Sequence, residues 1–167
     1  MTELIPMTKT EYSRFLQLAN QAYMADQIKA GNWSTDEAEQ KMQQTIEKYL
    51  PNGFETPGHH FYNILVPDIP SPIGALWYWV REENDQPQIF IMEISIEAEY
   101  RRKGYGTQVF DILEQHAKDR DIHQIGLSVF PHNTPARNLY LKLGFSFLDS
   151  DHYMVKQLVT NTTNLQN

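Results

Sequence analysis

The stretch Glu99-Tyr-Arg-Arg-Lys-Gly-Tyr-Gly-Thr107 decides the reading of this chain. It closes an apolar run from Ile89 to Ile96 and opens a helical pattern with Val109, Phe110, Leu113 and Ala117 on one face. A strand that enters a glycine-containing turn and then starts a helix is a ready anion site. Gly104 and Gly106 let the main chain turn without a Cβ penalty, so consecutive N–H groups can converge on phosphate oxygens. The first helical turn adds its own unpaired donors and dipole. Arg101, Arg102 and Lys103 stand beside it, and Tyr105 and Thr107 flank the glycines. The stretch predicts a phosphate-bearing ligand held mainly by backbone.

Two common phosphate loops do not fit. A P-loop needs Gly-Lys-Ser/Thr at the end of the turn, and Gly104-Tyr-Gly-Thr107 lacks that lysine. A dinucleotide fingerprint needs a third small residue where Val109 stands, and an acid after the next strand, where Val129-Phe130-Pro131 stands. Only about 60 residues follow the turn, too few to finish a doubly wound nucleotide domain.

Arg101-x-x-Gly104-x-Gly106 instead resembles the acyl-CoA pyrophosphate loop of the GNAT superfamily of N-acetyltransferases, whose pattern is Arg/Gln-x-x-Gly-x-Gly/Ala. A second stretch, Asn133-Thr-Pro-Ala136-Arg-Asn-Leu-Tyr140-Leu-Lys-Leu-Gly144-Phe145, is similar to that superfamily's second signature at every fixed position. The two motifs come in the right order, separated by one helix and one strand. The resemblance covers roughly residues 60–158. Segments Gly31–Ala38 and Leu50–His59 also look similar to a bacterial subgroup whose acceptors are mostly unassigned.

Composition narrows the class. With 167 residues, 41% of them hydrophobic and 12% aromatic, the chain can bury a core. No apolar run approaches ~20 residues, so no membrane span is expected. The start Met-Thr-Glu-Leu-Ile-Pro has neither a basic nor an apolar leader region, and a cytoplasmic protein is expected. There is no cysteine, hence no disulfide, no thiolate metal site and no cysteine to carry an acyl group. A net charge of −7 argues against nucleic acid and favours a cationic acceptor such as an amine.

Local signals give the order of elements. Thr8-x-x-Glu11 and Ser34-x-x-Glu37 read as capping boxes opening two helices. Phe61–Val66 and Ile73–Val80 form a hairpin across a proline-rich turn, and Arg81–Pro87 is a second polar turn before the strand Ile89–Ile96. A helix to about Arg120, a strand Gln124–Val129, a helix Pro135–Leu143 capped by Thr134, and paired strands Phe145–Leu148 and Tyr153–Leu158 follow. The strands joined through a helix should be parallel neighbours, and the others antiparallel. The fold class is therefore α/β with a mixed, mostly antiparallel sheet flanked by helices. The resemblance implies that the two parallel central strands splay apart. One domain over residues 1–158 is expected, with 159–167 a polar, frayed tail and hairpin edges that could pair in a homodimer.

The resemblance also implies roles. The cofactor is acetyl-CoA, a co-substrate, with Arg101 to Thr107 on its diphosphate and the main chain of Ile94, Ser95 and Ile96 on its pantetheine arm. Asn133 and Ala136 lie in the second motif, where Asn133 either bonds the arm or caps the helix. Ala136, Tyr140 and Leu143 share a helix face, and the Tyr140 hydroxyl is implied to meet the departing sulfur. Glu93 interrupts an otherwise apolar strand, so it must be paired or face a cleft. Raised by partial desolvation, it suits a general base for the acceptor amine; a salt bridge with an inward arginine is the other account. Trp33, His59 and Trp77 are candidates for the acceptor pocket, though alternation puts at least one of Trp77 and Trp79 in the core. Adjacent histidines point apart on a strand, so no metal site is expected. The acceptor is a small-molecule or peptide amine of unspecified identity, and a non-catalytic acyl-CoA sensor is the rival reading.

Overall fold

In the computed structural model, which describes residues 1–159, the chain runs β1 (Glu3–Pro6), α1 (Lys9–Lys29), α2 (Ala38–Tyr49), β2 (His59–Leu65), β3 (Gly74–Glu83), β4 (Gln86–Ile96), α3 (Tyr105–Asp119), β5 (Gln124–Ser128), α4 (Thr134–Lys142), β6 (Ser146–Phe147) and β7 (Tyr153–Gln157). Residues 160–167, most of the expected tail, lie outside the described part. The seven strands form one sheet in the order β1-β2-β3-β4-β5-β7-β6. Among the described residues only β4 and β5 run parallel; every other neighbouring pair is antiparallel. Among the described residues no helix is long and apolar enough to cross a membrane.

Period-two alternation sends the side chains of each strand to two cores. Ile64, Leu76, Tyr78, Ile89 and Ile125 meet Val109, Phe110, Leu113 and Ala117 of α3. On the other face Phe61 and Trp77 meet Tyr12, Phe15 and Leu16 of α1 and Ile46 of α2. Each such fully buried large side chain contributes about 2 kcal/mol. The sheet is thus the middle of three layers.

One irregularity in β4 sets up everything that follows. Trp77 of β3 lies opposite Glu93, but its neighbour Tyr78 lies opposite Ile91, so Met92 is an extra residue. This β-bulge reverses the facing of the strand. Ile89 and Ile91 point toward α3, and beyond the bulge Ile94 and Ile96 do so, whereas Met92 packs with α1 and α2. Pairing with β5 also ends there: it runs only from Ile89↔Ile125 to Ile91↔Leu127. The central strands therefore part, as the sequence resemblance implied.

Four local expectations need correction. β1 was not foreseen; four edge residues ending in a proline give no alternation to read. Arg81–Pro87 is not an extended polar turn. Glu82↔Pro87 and Glu83↔Gln86 are paired, and Asn84-Asp85 alone turns, both at positive φ (50° and 62°), the tight hairpin geometry that matches strand twist. At Ser34 only half a capping box forms: the Glu37 carboxylate accepts the Ser34 N–H at 2.9 Å, and the helix begins at Ala38. The cap of α4 is Asn133, not Thr134, its side-chain oxygen accepting the Ala136 N–H at 3.4 Å.

Candidate active site

The loop between β4 and α3 is built to leave donors free. After one 3₁₀ turn at Ala98–Tyr100, Arg101 turns back and its Nε donates to the Ile96 carbonyl at 2.7 Å, tying the loop to the end of β4. Arg102 (φ 61°) and Gly104 (φ 85°) are both left-handed, a backbone that turns successive N–H groups into one concavity. Glycine alone adopts that conformation cheaply, and a Cβ on Gly104 would stand in open space at the mouth of α3. α3 has no side-chain cap and no acid in its first turn. Gln108 is the first residue there to find a backbone acceptor, the Gly104 carbonyl at 3.2 Å. Among the described residues, no acceptor meets the N–H groups of Arg102 to Thr107. The side chains of Arg101, Arg102, Lys103 and Thr107 are exposed around them, while Tyr105 and Gly106 are half-buried. Such a donor set fits a diphosphate.

Beyond the bulge the gap between β4 and β5 opens into a cleft of about 950 Å³. Ile94, Ser95 and Ile96 are paired with Leu76, Ala75 and Gly74 on one side; among the described residues their other edge has no strand partner. Glu93 and Tyr140 face the cleft from opposite walls, Glu93 from β4 and Tyr140 from α4. Neither side chain hydrogen-bonds to another described residue. Burial, and secondarily the Asp26 carboxylate, push the Glu93 carboxyl up to about 7. Burial and then Glu93 itself push the Tyr140 phenol up to about 12. The Tyr140 ring is wedged edge-on against Phe110 and tilted against Phe145, each 5.9 Å away. Gly144 (φ 94°) lets the chain leave α4 so that Phe145 can reach that position. Asn133 and Ala136 line the same wall.

The three expected pocket residues are placed differently from one another. Trp77 is buried and lines the cleft floor opposite Glu93. Its indole N–H donates to Nδ1 of His59 at 3.0 Å, so His59 is a neutral acceptor. Burial and the adjacent His60 push its pKa down to about 4. His59 stacks on Trp79 at 5.2 Å, behind the lining rather than in it. Trp33 lies edge-on to Tyr23 at 5.6 Å and backs that lining residue without facing the cleft.

Sequence reasoning missed the roof. Asp26 on α1 meets Nε2 of His132, between β5 and α4, at 3.0 Å. His132 stacks on Phe130 at 5.4 Å, and Phe130 contacts Tyr23 at 5.9 Å. These residues span 106 positions, and only the helical spacing Tyr23-x-x-Asp26 was available as a signal. Trp79, Arg81 and Phe90 complete the far end of the cleft.

Comparisons with known proteins agree with this architecture. The profile of the family described as "Acetyltransferase (GNAT) family" matches residues 16–145. The chain is 34% identical over 155 residues to the uncharacterized N-acetyltransferase YycN of Bacillus subtilis, covering 93% of this chain and 97% of that one. It is 30% identical over 140 residues to YdgE of the same organism, another uncharacterized N-acetyltransferase, covering 84% and 88%. The crystal structure of YycN superposes with a TM-score of 0.83 at 33% identity, over 90% of this chain and 95% of that one. PaiA N-acetyltransferase from Thermoplasma acidophilum, in complex with coenzyme A, shares the fold: TM-score 0.65 at 16% identity, over 94% and 99%.

Proposed function

The chain belongs to the GNAT family of acetyltransferases, and from that premise we propose that it moves an acetyl group from acetyl-CoA to an amine held in the same cleft, by direct attack. The observation that carries this reading is the pair Glu93 and Tyr140: two enclosed polar groups, without a hydrogen-bond partner among the described residues, facing one space. A non-catalytic binding module has no use for either, and the family relatives are N-acetyltransferases.

Bound acetyl-CoA supplies an electrophilic thioester. The free N–H groups of Arg102 to Thr107 take its diphosphate, and Arg101, Arg102 and Lys103 add charge at the rim. The unpaired edge of Ile94–Ile96 holds the pantetheine arm between the parted strands, and Asn133 and Ala136 border it. Glu93 accepts a proton from the acceptor's ammonium and passes it to solvent; the nitrogen lone pair then forms the C–N bond while the C–S bond breaks, and the second N–H proton leaves to solvent to give the neutral amide. With its carboxyl at about 7, taking a proton from an amine near pKa ~10 is uphill by roughly 4 kcal/mol, against roughly 8 for an ordinary glutamate. Tyr140 directs its O–H at the departing sulfur. A phenol at about 12 would lose about 5 kcal/mol by giving its proton fully to a thiolate of pKa ~8.5. Tyr140 therefore donates a hydrogen bond to the sulfur, and solvent supplies the final proton. Holding both reactants in line lowers the barrier further.

The test is Tyr140→Phe. Turnover should fall about 100-fold, the scale of losing one charge-stabilising donor, while calorimetric affinity for CoA stays within about twofold. Unchanged turnover removes Tyr140 from the mechanism.

A further inference from the structure

Arg81 is fixed with unusual thoroughness for a residue that ends a hairpin strand. Its guanidinium lies over the Phe90 ring at 4.2 Å and 5.7 Å from the Trp79 ring. Nε donates to Oε1 of Gln88 at 2.9 Å. Gln88 is fully buried on the cleft face of the sheet, and its amide nitrogen in turn donates to Oε1 of Gln124 and to the Tyr153 hydroxyl, the latter at 2.8 Å. A Cβ on Gly126 would stand 2.6 Å from that same amide nitrogen, so β5 carries glycine where Gln88 lies. Four strands thus cooperate to hold one arginine at the wall of the cleft.

The pairing with Glu83, at 3.3 Å, does not account for this support. Glu83 is one-third exposed, and an exposed ion pair is worth little and needs no buried frame. Arginine has five N–H donors in a rigid fork. Gln88 and Glu83 engage two of them, which leaves donors on the remaining edge. The other charged groups at this end, Asp151 and His152, pair with each other at 3.2 Å and are mostly in solvent. At the inner end stand Glu93 and Asp26. The cleft therefore has acids at its inner end and, at its outer end, a braced arginine that keeps donors to spare beside its partner Glu83.

We propose that Arg81 anchors an anionic group on the acceptor, so that the site takes amines that also carry a carboxylate. This rests on the acetyl-transfer reading above. The span follows from strand register. Arg81 itself is opposite Gln88, four residues along β3 from Trp77, which faces Glu93. Its guanidinium reaches back over Phe90, opposite Trp79 and two residues from Trp77, or about 7 Å along the strand. A carboxylate met by that guanidinium is thus separated from an amine at Glu93 by at least about 7 Å of strand, the reach of an ω-amino acid rather than of an α-amine, whose carboxylate is on the adjacent carbon. Phe90 and Trp79 would cover the intervening methylenes.

The experiment compares, with acetyl-CoA, a length series of ω-amino carboxylates, the same chains without the carboxylate, and the matching diamines. The carboxylates should exceed the plain monoamines at least tenfold in kcat/KM, with an optimum at intermediate length. In Arg81→Gln that ratio should collapse toward one, and Arg81→Lys should keep part of it. A merely structural arginine would lower all rates and leave the ratio in place. Calorimetric binding of the carboxylates to the CoA complex is measured alongside. Transfer to monoamines or diamines with no carboxylate advantage overturns the anchor and leaves acetyl transfer standing. Carboxylate binding that Arg81→Gln abolishes, with no amine acetylated, overturns the transfer reading and supports the anchor. Neither binding nor transfer overturns both.

Discussion

Glu93→Gln should make the protein more stable, and only above a definite pH. The carboxyl has an ordinary value of 4.5 and is pushed up to about 7 in the folded chain, chiefly by burial. Below pH 4.5 it is protonated whether the chain is folded or not, and its ionisation contributes nothing. Between 4.5 and 7 the unfolded chain releases the proton while the folded one keeps it, so stability falls as pH rises. Above 7 the loss is complete, at about 3 kcal/mol. Glutamine has nearly the same shape and never ionises, so the variant escapes this loss. Urea unfolding of both proteins from pH 4 to 8.5 should give a stability difference near zero at the acid end, growing to about 3 kcal/mol, or roughly 10 °C in Tm for a domain of this size. His59 acts in the opposite sense. Its depressed pKa means that stability is lost as pH falls from 6.5 toward 4, but it does so in both proteins and cancels in the difference. A flat difference, or a variant that is less stable throughout, would refute the reasoning. The second result is what a structural salt bridge at Glu93 predicts. The same substitution should lower kcat/KM, so this position would trade stability for activity.

Two further outcomes follow from neighbouring residues. Asp26→Asn removes the negative charge that helps hold the Glu93 carboxyl up, so the acidic limb of the kcat/KM profile should move to lower pH; a shift upward or none would deny the coupling. Gly126→Ala forces a methyl to within 2.6 Å of the Gln88 amide and should cost about 1–3 kcal/mol in urea unfolding, with Gln88→Ala restoring part of the loss in the double variant.

What could be read from sequence was what is local. The loop from Arg101 to Thr107 announces itself because cations, glycines and a helical stripe lie side by side in the chain, and Gly104 has the left-handed backbone that its position required. α4 was equally plain, bounded by Pro135 and by Gly144 at φ 94°, though its cap fell one residue earlier. What stayed hidden depends on partners far away. Asp26 and His132 meet across 106 residues. Arg81 looked like part of a turn because the hairpin closes on Asn84-Asp85, three residues further on. His59 looked like a pocket residue because nothing in the chain says that the Trp77 N–H will occupy its nitrogen.

The bulge explains why Glu93 was legible as chemistry while its setting was not. In a regular strand Glu93 would share a face with Ile89 and Ile91 and lie beneath α3, a carboxyl in an apolar core with no partner. That arrangement costs several kcal/mol, which is why the residue stood out in an apolar run. The extra residue Met92 turns the strand so that Ile94 and Ile96 take over the core face, and Glu93 is delivered to the cleft instead. The same extra residue ends the pairing with β5 and opens the cleft into which Glu93 is turned. Only the neighbour's register reveals a bulge, because a strand with one surplus residue has no local sequence mark. The position of the proposed base and the opening of the cleft are therefore one structural event.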